Sequence, residues 1–455
     1  MNFDTHRAGL LLHPTSLPSG TLADAGRWLD FLRAAGIQVW QMLPLGLPLV
    51  GLSPYQCASA FAVNPALFPL GPENRPRPDM RRFVGWHHTQ RHWLDDYARF
   101  IIIKQEQGGA QWTDWPIPLR DRNPRALAEF DSVHAAALKH VMAEQYRATV
   151  YWQGMRAEAA MRGVQLFGDM PIFVAHDSAD VWAQRNLFLL DEGGQPAVVA
   201  GVPPDYFSET GQRWGNPHYD WAAMRQDGFA WWRARLRMHF EWFDLVRIDH
   251  FRGLAAAWTI PASEPTAIHG EWVETPGAAL LQAIADEMGA LPLVAEDLGV
   301  ITPDVTALRH QFELPGMAVL QFAFDDHADN PHKPENVHPD TVYYVGTHDN
   351  DTALGWWRSL PDYAQQQVMQ QLGVAEADAV PDAMMATVLH SPAALAVLTM
   401  QDVLHLGSEA RMNTPGTDNG NWSWRFEWDA LPPDLASRML EQLQKAHRCE
   451  EAPHP

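Results

Sequence analysis

The stretch FDLVRIDHFRG, residues 243–253, begins as an apolar run and ends in charge. Read as a β-strand, it sends successive side chains to opposite faces, so Arg247 and Asp249, two positions apart, point the same way. A guanidinium beside a carboxylate favours the ionised acid by opposite-charge stabilisation. Taken alone, the pair either keeps Asp249 charged for chemistry or is a buried ion pair that fastens the end of a strand.

The rest of the chain bears on that choice. Short apolar, β-rich runs recur at residues 9–13, 37–43, 164–171, 243–249, 291–296, 317–322, 341–347 and 394–401, separated by helical patterns or long loops. This is the alternation of a parallel α/β sheet, and eight such runs are what a closed TIM (β/α)8 barrel needs. Barrel chemistry sits at the C-terminal ends of the strands. Asp169, Asp249, Glu296 and Asp349 all lie at or near such ends. The expected architecture is one catalytic barrel across residues 1–455 with inserted subdomains. The gap at 44–163, between the second and third runs, is too long for one βα connection and predicts an inserted subdomain region. It includes the irregular, proline-rich GPENRPRPDM, residues 71–80, and returns to the barrel through alanine-rich helical spacing at 126–162. A second excursion, 190–226, reads as a loop punctuated by Pro203, Pro204, Gly211 and Gly215; loops that long in a compact domain are usually functional.

Composition narrows the partners. The 455-residue chain carries 33 Lys plus Arg against 55 Asp plus Glu, a formal net charge of −22, which repels phosphate backbones and anionic lipid surfaces. Neither nucleic acid nor membrane is expected as a partner, and the acidity serves solubility. No stretch approaches the roughly 20 apolar residues that span a bilayer, and the apolar run near the start is broken by Pro14 with no cleavage signature after it. Cys57 and Cys449, the only cysteines, stand far apart in no metal or redox spacing, so a reduced, cytoplasmic setting is expected. Tryptophan is the oddity, with 20 residues, where about 1% of a chain is usual. An indole offers a flat apolar face and one N–H donor, which suits the C–H face of a pyranose ring, although many of these residues are expected in the core.

Two more segments join the first. LPLVAEDLG, residues 291–299, ends a strand on Glu296 and Asp297. A glutamate in a partly apolar site can stay protonated and act as a general acid, while the same acidic pair can also cap a helix start. TVYYVGTHDND, residues 341–351, brings out His348 and Asp349, which alone fit catalysis, a metal site or an Asx-capped turn. Together the three segments say more, because retaining glycosidases need two carboxyl groups roughly 5–5.5 Å apart, one nucleophile and one acid/base.

The segments GDMPIFVAHDSADVW, VRIDHFRG, AEDLG and THDND resemble the four signature regions of the α-amylase superfamily. Within it, the chain resembles glycoside hydrolase family 77, the 4-α-glucanotransferases also called amylomaltases or disproportionating enzymes. HPTSLPSG, SPYQCASAFAVNP, GVPPDYFSETGQRWGNP, GEWVETPG and EARMNTPGTDNGNWSWRF carry the same resemblance, in order, from about residue 8 to residue 428. It implies Asp249 as nucleophile, Glu296 as general acid/base and Asp349 as the third carboxylate, which holds sugar hydroxyls in the distorted transition state. It further implies that Arg247, His348 and Asp169 contact the sugar, and that Ser53, Tyr55, Gln212, Trp214 and Asn421 lie on glucan-binding loops. The implied substrates are maltooligosaccharides or α-1,4-glucans, with 190–226 as a substrate-covering loop region and no metal or other cofactor. Leu52 before SPYQ, where the family pattern has aspartate, and Val63, where it has glycine, depart at the substrate-binding edge and put chain-length preference in doubt. Rival readings are an α-amylase-like hydrolase, a catalytically silent glucan-binding protein, and a metal-dependent barrel hydrolase using His348 and His176. His88 and His92, spaced i and i+4, read as an incidental helix face, and His176 with Asp177 as hydrogen-bonding groups.

Overall fold

The computed structural model describes residues 5–49, 51–70, 79–204, 208–417 and 419–449. Its strands, in chain order, are β1 (Arg7–Leu11), β2 (Val39–Gln41), β3 (Gln165–Pro171), β4 (Val198–Val202), β5 (Gln212–Pro217), β6 (Leu245–Asp249), β7 (Ala256–Pro261), β8 (Glu271–Glu274), β9 (Leu293–Ala295), β10 (Gly316–Val319), β11 (Thr341–Tyr344) and β12 (Leu395–Thr399). Eight of these form one parallel sheet in the order β10-β11-β12-β1-β2-β3-β6-β9. Its two edges meet: Ala295 N donates to Pro315 O at 2.9 Å and Met317 N to the Asp297 carboxylate at 2.7 Å. The sheet is thereby a nearly closed barrel of the TIM type, built from the eight runs of the sequence.

Strand ends differ from the sequence expectation by a few residues, for local reasons. The run at 317–322 leaves the ladder after Val319 for a 3-10 turn, Leu320–Phe322, and the run at 394–401 ends at Thr399, whose hydroxyl caps the following short helix, Met400–Val403.

Alternation along each strand divides the core in two. Leu11, Val39, Phe167, Leu245, Val294, Val319, Val342, Tyr344 and Val397 fill the barrel interior. Their neighbours Leu10, Trp40, Leu166, Met170, Val246, Ile248, Leu293, Tyr343 and Ala396 face the surrounding helices. Gly168 belongs to the outward row, where an added Cβ would overlap the Phe243 ring. Of the many tryptophans, Trp28, Trp40, Trp112, Trp152, Trp182 and Trp232 are fully buried, so much of the excess is core rather than sugar platform.

Between β2 and β3 stand two long helices, Met80–Glu106 and Pro124–Met161, the second starting on an Asn123 cap with Pro124 in its first turn and kinked at His134. Residues 71–78 of the proline-rich stretch and the terminus from 450 lie outside the described residues. His88 and His92 are exposed on the first helix, while His176 Nε2 bonds Gly194 O at 2.7 Å and Asp177 pairs with Lys104 at 2.5 Å. The 190–226 stretch, expected as loop, contains β4 and β5. These join β7 and β8 in a four-stranded antiparallel sheet, order β5-β4-β7-β8. The proline and glycine signals had marked its turns while its short strands lacked a clear period. Asp205, Tyr206 and Phe207 of this stretch lie outside the described residues.

The N-terminal ends of the strands are closed by Arg448, only 1% exposed. Its guanidinium donates to the carbonyls of Arg7 (2.8 Å), Ala393 (3.0 Å), Ser391 (2.8 Å) and Leu389, and its own carbonyl accepts from Gln38 Nε2 at 2.8 Å. Burial lowers its pKa to about 10.

Candidate active site

The inward rows that fill the barrel continue beyond the apolar core into charge. On β3 the row runs Phe167, Asp169; on β6, Leu245, Arg247, Asp249; on β9, Val294 and then Glu296; on β11, Val342, Tyr344 and then His348. Period-2 alternation thus delivers Asp169, Arg247, Asp249 and Glu296 to the C-terminal mouth, while His348 reaches it from the turn beyond β11. Register does the rest: Asp169 is the ladder partner of Arg247. Arg247 donates through one Nη to Asp169 Oδ2 at 2.7 Å and through the other to Asp249 Oδ1 at 2.9 Å.

Tyr55, from the loop after β2, adds a second contact to Asp169. Its hydroxyl donates to Asp169 Oδ2 at 2.7 Å and accepts from His348 Nε2 at 2.9 Å, and the two rings stack at 5.4 Å between centroids. His348 Nε2 also lies 3.3 Å from Asp349 Oδ2. Burial lowers the His348 pKa, so the ring is a neutral donor.

Glu296 is held by backbone. Its Oε2 accepts from His250 N at 2.7 Å and its Oε1 from Leu298 N at 3.1 Å. The first bond depends on a turn that the sequence did not announce: His250, directly after Asp249, adopts left-handed φ of 54°. Such strain in a non-glycine residue persists only where surrounding contacts enforce it. Here it turns the amide of the nucleophile candidate's neighbour onto the acid candidate.

The electrostatics amend one expectation. Arg247 does pull Asp249 toward its ionised form, but burial pushes the Asp249 pKa up by more, with Asp169, Glu296 and Asp349 adding to the rise. Glu296 is likewise raised by burial, against Arg247 and the two amide donors. Arg247 itself is held well above its ordinary value: burial opposes its charge, and Asp169, Asp249, Tyr55 and Glu296 together outweigh burial. One guanidinium thus serves several carboxyl groups, and the cluster holds on to a proton.

The outer residues divide. Trp214 on β5 meets His250 edge-on at 4.9 Å, and its indole N–H donates to Gln212 Oε1 at 3.1 Å, which brings both into the mouth's outer wall. Ser53 uses its hydroxyl on Tyr55 N at 3.4 Å, and Asn421 bonds Thr414 N at 2.9 Å and Thr417 O at 2.9 Å within its own loop. Reading by motif missed three residues that touch the centre. Trp422, next to Asn421, lies 5.9 Å from both the Tyr55 and the His348 rings. Asn413 Nδ2 donates to Asp349 Oδ1 at 2.6 Å, and Arg411 Nη2 to the Asp349 carbonyl at 2.6 Å. The stretch EARMNTPGTDNGNWSWRF contains all three, but no spacing rule distinguishes them within it.

The chain is similar to known proteins over nearly its whole length. The family profile described as 4-alpha-glucanotransferase matches residues 11–73 and 71–431. The 4-alpha-glucanotransferase of Thermus thermophilus is 46% identical, over 97% of this chain and 98% of that protein, and that of Synechocystis is 43% identical, over 96% and 97%. The solved structure of the amylomaltase from Streptococcus agalactiae in complex with acarbose superposes with a TM-score of 0.93 at 30% identity, covering 98% of this chain and 100% of that one. An eight-stranded barrel, a carboxylate cluster at its mouth and matches of this extent lead to one conclusion: the chain belongs to the 4-α-glucanotransferase family, glycoside hydrolase family 77.

Proposed function

We propose that this enzyme moves α-1,4-glucan segments to the 4-hydroxyl of an acceptor glucan or glucose by a retaining double displacement, with Asp249 as nucleophile, Glu296 as general acid/base and Asp349 as the stabilising third carboxylate. The observation that carries the assignment is the asymmetry between the first two acids. Asp249 is in direct ion-pair contact with Arg247, which supports it as the charged member by opposing the rise that burial imposes. Burial raises the Glu296 pKa against Arg247 and the two backbone N–H groups that its oxygens accept from, which fits a group that gains and loses a proton in the reaction.

In the first half-reaction Glu296 gives its proton to the glycosidic oxygen while an Asp249 oxygen bonds to the anomeric carbon, the C–O bond breaks, and the shortened glucan leaves. In the second, the acceptor 4-hydroxyl gives its proton to Glu296, attacks the anomeric carbon and releases Asp249. Asp349 holds sugar hydroxyls as positive charge develops on the ring; Arg247, His348 and Asp169 complete the inner contacts. Tyr55, Gln212 and Trp214 line the approach, while Ser53 and Asn421 act through the shape of the loops they brace. The scheme calls for no cofactor or metal. The 190–226 region serves as the substrate cover and 44–163 as the inserted subdomain region of a single catalytic barrel.

Among the described residues no helix is long and apolar enough to cross a membrane. With the net charge of −22 and the cysteine usage, this supports a cytoplasmic enzyme whose partners are maltooligosaccharides rather than nucleic acid or lipid. The test is incubation of parent and Asp249→Asn with maltotriose, reading product lengths. A ladder extending above the trisaccharide in the parent and absent from the variant is expected. Glucose and maltose alone would make the chain a hydrolase, and a ladder from Asp249→Asn would remove it as nucleophile.

A further inference from the structure

We propose that Asn413 is a positioning residue that sets the orientation of Asp349, with Arg411 as its brace. The inference rests on the reading of Asp349 as the stabilising carboxylate.

Asp349 differs from the other acids in how it is supported. Asp169, Asp249 and Glu296 are on strands or directly at their ends, whereas Asp349 lies in the turn beyond β11, and its side chain is 44% exposed where that of His348 is 5% exposed. An aspartate so placed has rotamer freedom that a working carboxylate must lose. The segment 411–413 removes it with four bonds. Asn413 Nδ2 donates to Asp349 Oδ1 at 2.6 Å and Asn413 N to His348 O at 3.1 Å. Arg411 Nη2 donates to Asp349 O at 2.6 Å, and Arg411 Nε to Asn413 O at 2.7 Å. The clamp is tied in turn to the cleft wall, because Met412 O accepts from Trp422 N at 2.7 Å.

The chemistry of the clamp matters. The arginine meets only the main-chain carbonyl, while the carboxylate itself receives a neutral amide. A cation on Oδ1 would quench the charge that stabilises an oxocarbenium-like ring; an amide fixes the rotamer and leaves the charge in place. With Oδ1 occupied, Oδ2 is the oxygen presented beside His348.

The test compares Asn413→Ala, Asn413→Asp and Asp349→Asn by kcat and KM for maltotriose disproportionation, with thermal midpoints. Because a misplacement of about 1 Å can cost roughly 10²-fold, Asn413→Ala should lose about 10- to 100-fold in kcat with KM within about threefold. Asn413→Asp keeps the shape, loses the donor and adds like charge, so it should fall at least as far; it also serves if the alanine variant does not fold. Asn413→Ala placed on Asp349→Asn should add little, since the group it orients is already disabled. A kcat within twofold of the parent for either Asn413 variant, recovery by Asn413→Asp over alanine, or a rise in KM at constant kcat would overturn the proposal. Undiminished kcat in Asp349→Asn would instead remove the catalytic reading beneath it.

Discussion

Two arginines are buried at opposite ends of the same barrel, and they are handled in opposite ways. Arg247, at the C-terminal mouth, faces Asp169 and Asp249, and its charged form is strongly favoured despite burial. Arg448, at the N-terminal end, donates to main-chain carbonyls, and burial lowers its pKa to about 10. The first organises charge that the proposed reaction uses; the second gathers carbonyls that strands and turns leave over where the ladder begins. The barrel thus separates chemistry from stability by its two ends, as parallel strands allow, because all C-termini converge on one face.

The contrast can be broken by exchanging the same substitution. Arg247→Met removes the cation from the carboxylate cluster, and Asp249, raised by burial already, loses the group that opposes the rise. A fall in kcat/KM of about 10³-fold is expected, the scale of losing a preorganised electrostatic contact, with a folded protein remaining by circular dichroism. Arg448→Met should do the reverse. Leaving several buried carbonyls without donors costs about 3 kcal/mol or more, read as a lower urea midpoint, while the folded fraction keeps kcat within about twofold. If Arg448→Met were the variant that lost kcat at unchanged stability, the separation of the two ends would be wrong.

How far the sequence showed this depends on what kind of order is at stake. The eight runs and the inward parity of Asp169, Arg247, Asp249 and Glu296 follow from alternation, which is a local property, so they were legible. The antiparallel sheet was not: β8 is exposed along its whole length and β5 along part of it, so neither shows the apolar period that marks a strand. Nor was the grip on Glu296, which depends on a left-handed histidine, or the Asn413 clamp, which joins residues 64 positions apart in the chain. Burial defeated one electrostatic expectation as well. The effect of Arg247 on Asp249 could be read from their spacing, but the larger desolvation depends on everything that closes over the mouth.

A third buried base sharpens the comparison, at the smallest scale. His332, on the connection from β10 to β11, accepts a hydrogen bond at Nδ1 from Val319 N at 3.2 Å, at the end of β10. Burial lowers its pKa to about 4, against the attraction of Asp325. Unlike either arginine, it is held neutral, because it is needed as an acceptor. The folded pKa lies below the unfolded value near 6.5, so between those limits the unfolded chain binds the additional proton. The stabilisation is complete above about pH 6.5 and is lost as pH falls toward 4. His332→Asn offers Oδ1 as an acceptor in place of Nδ1 and cannot titrate. Its stability at pH 7.5 should stay within about 1 kcal/mol of the parent, and its loss on moving to pH 5 should be smaller by about 1–2 kcal/mol, measured by urea denaturation at both values. His13, His239 and His250 are also lowered by burial, to about 3, 4 and 4, and continue to titrate in the variant, so acid sensitivity should be reduced rather than abolished. An unchanged acid slope would mean that the imidazole protonates without releasing Val319, and that the end of β10 is held by its ladder to β11 alone.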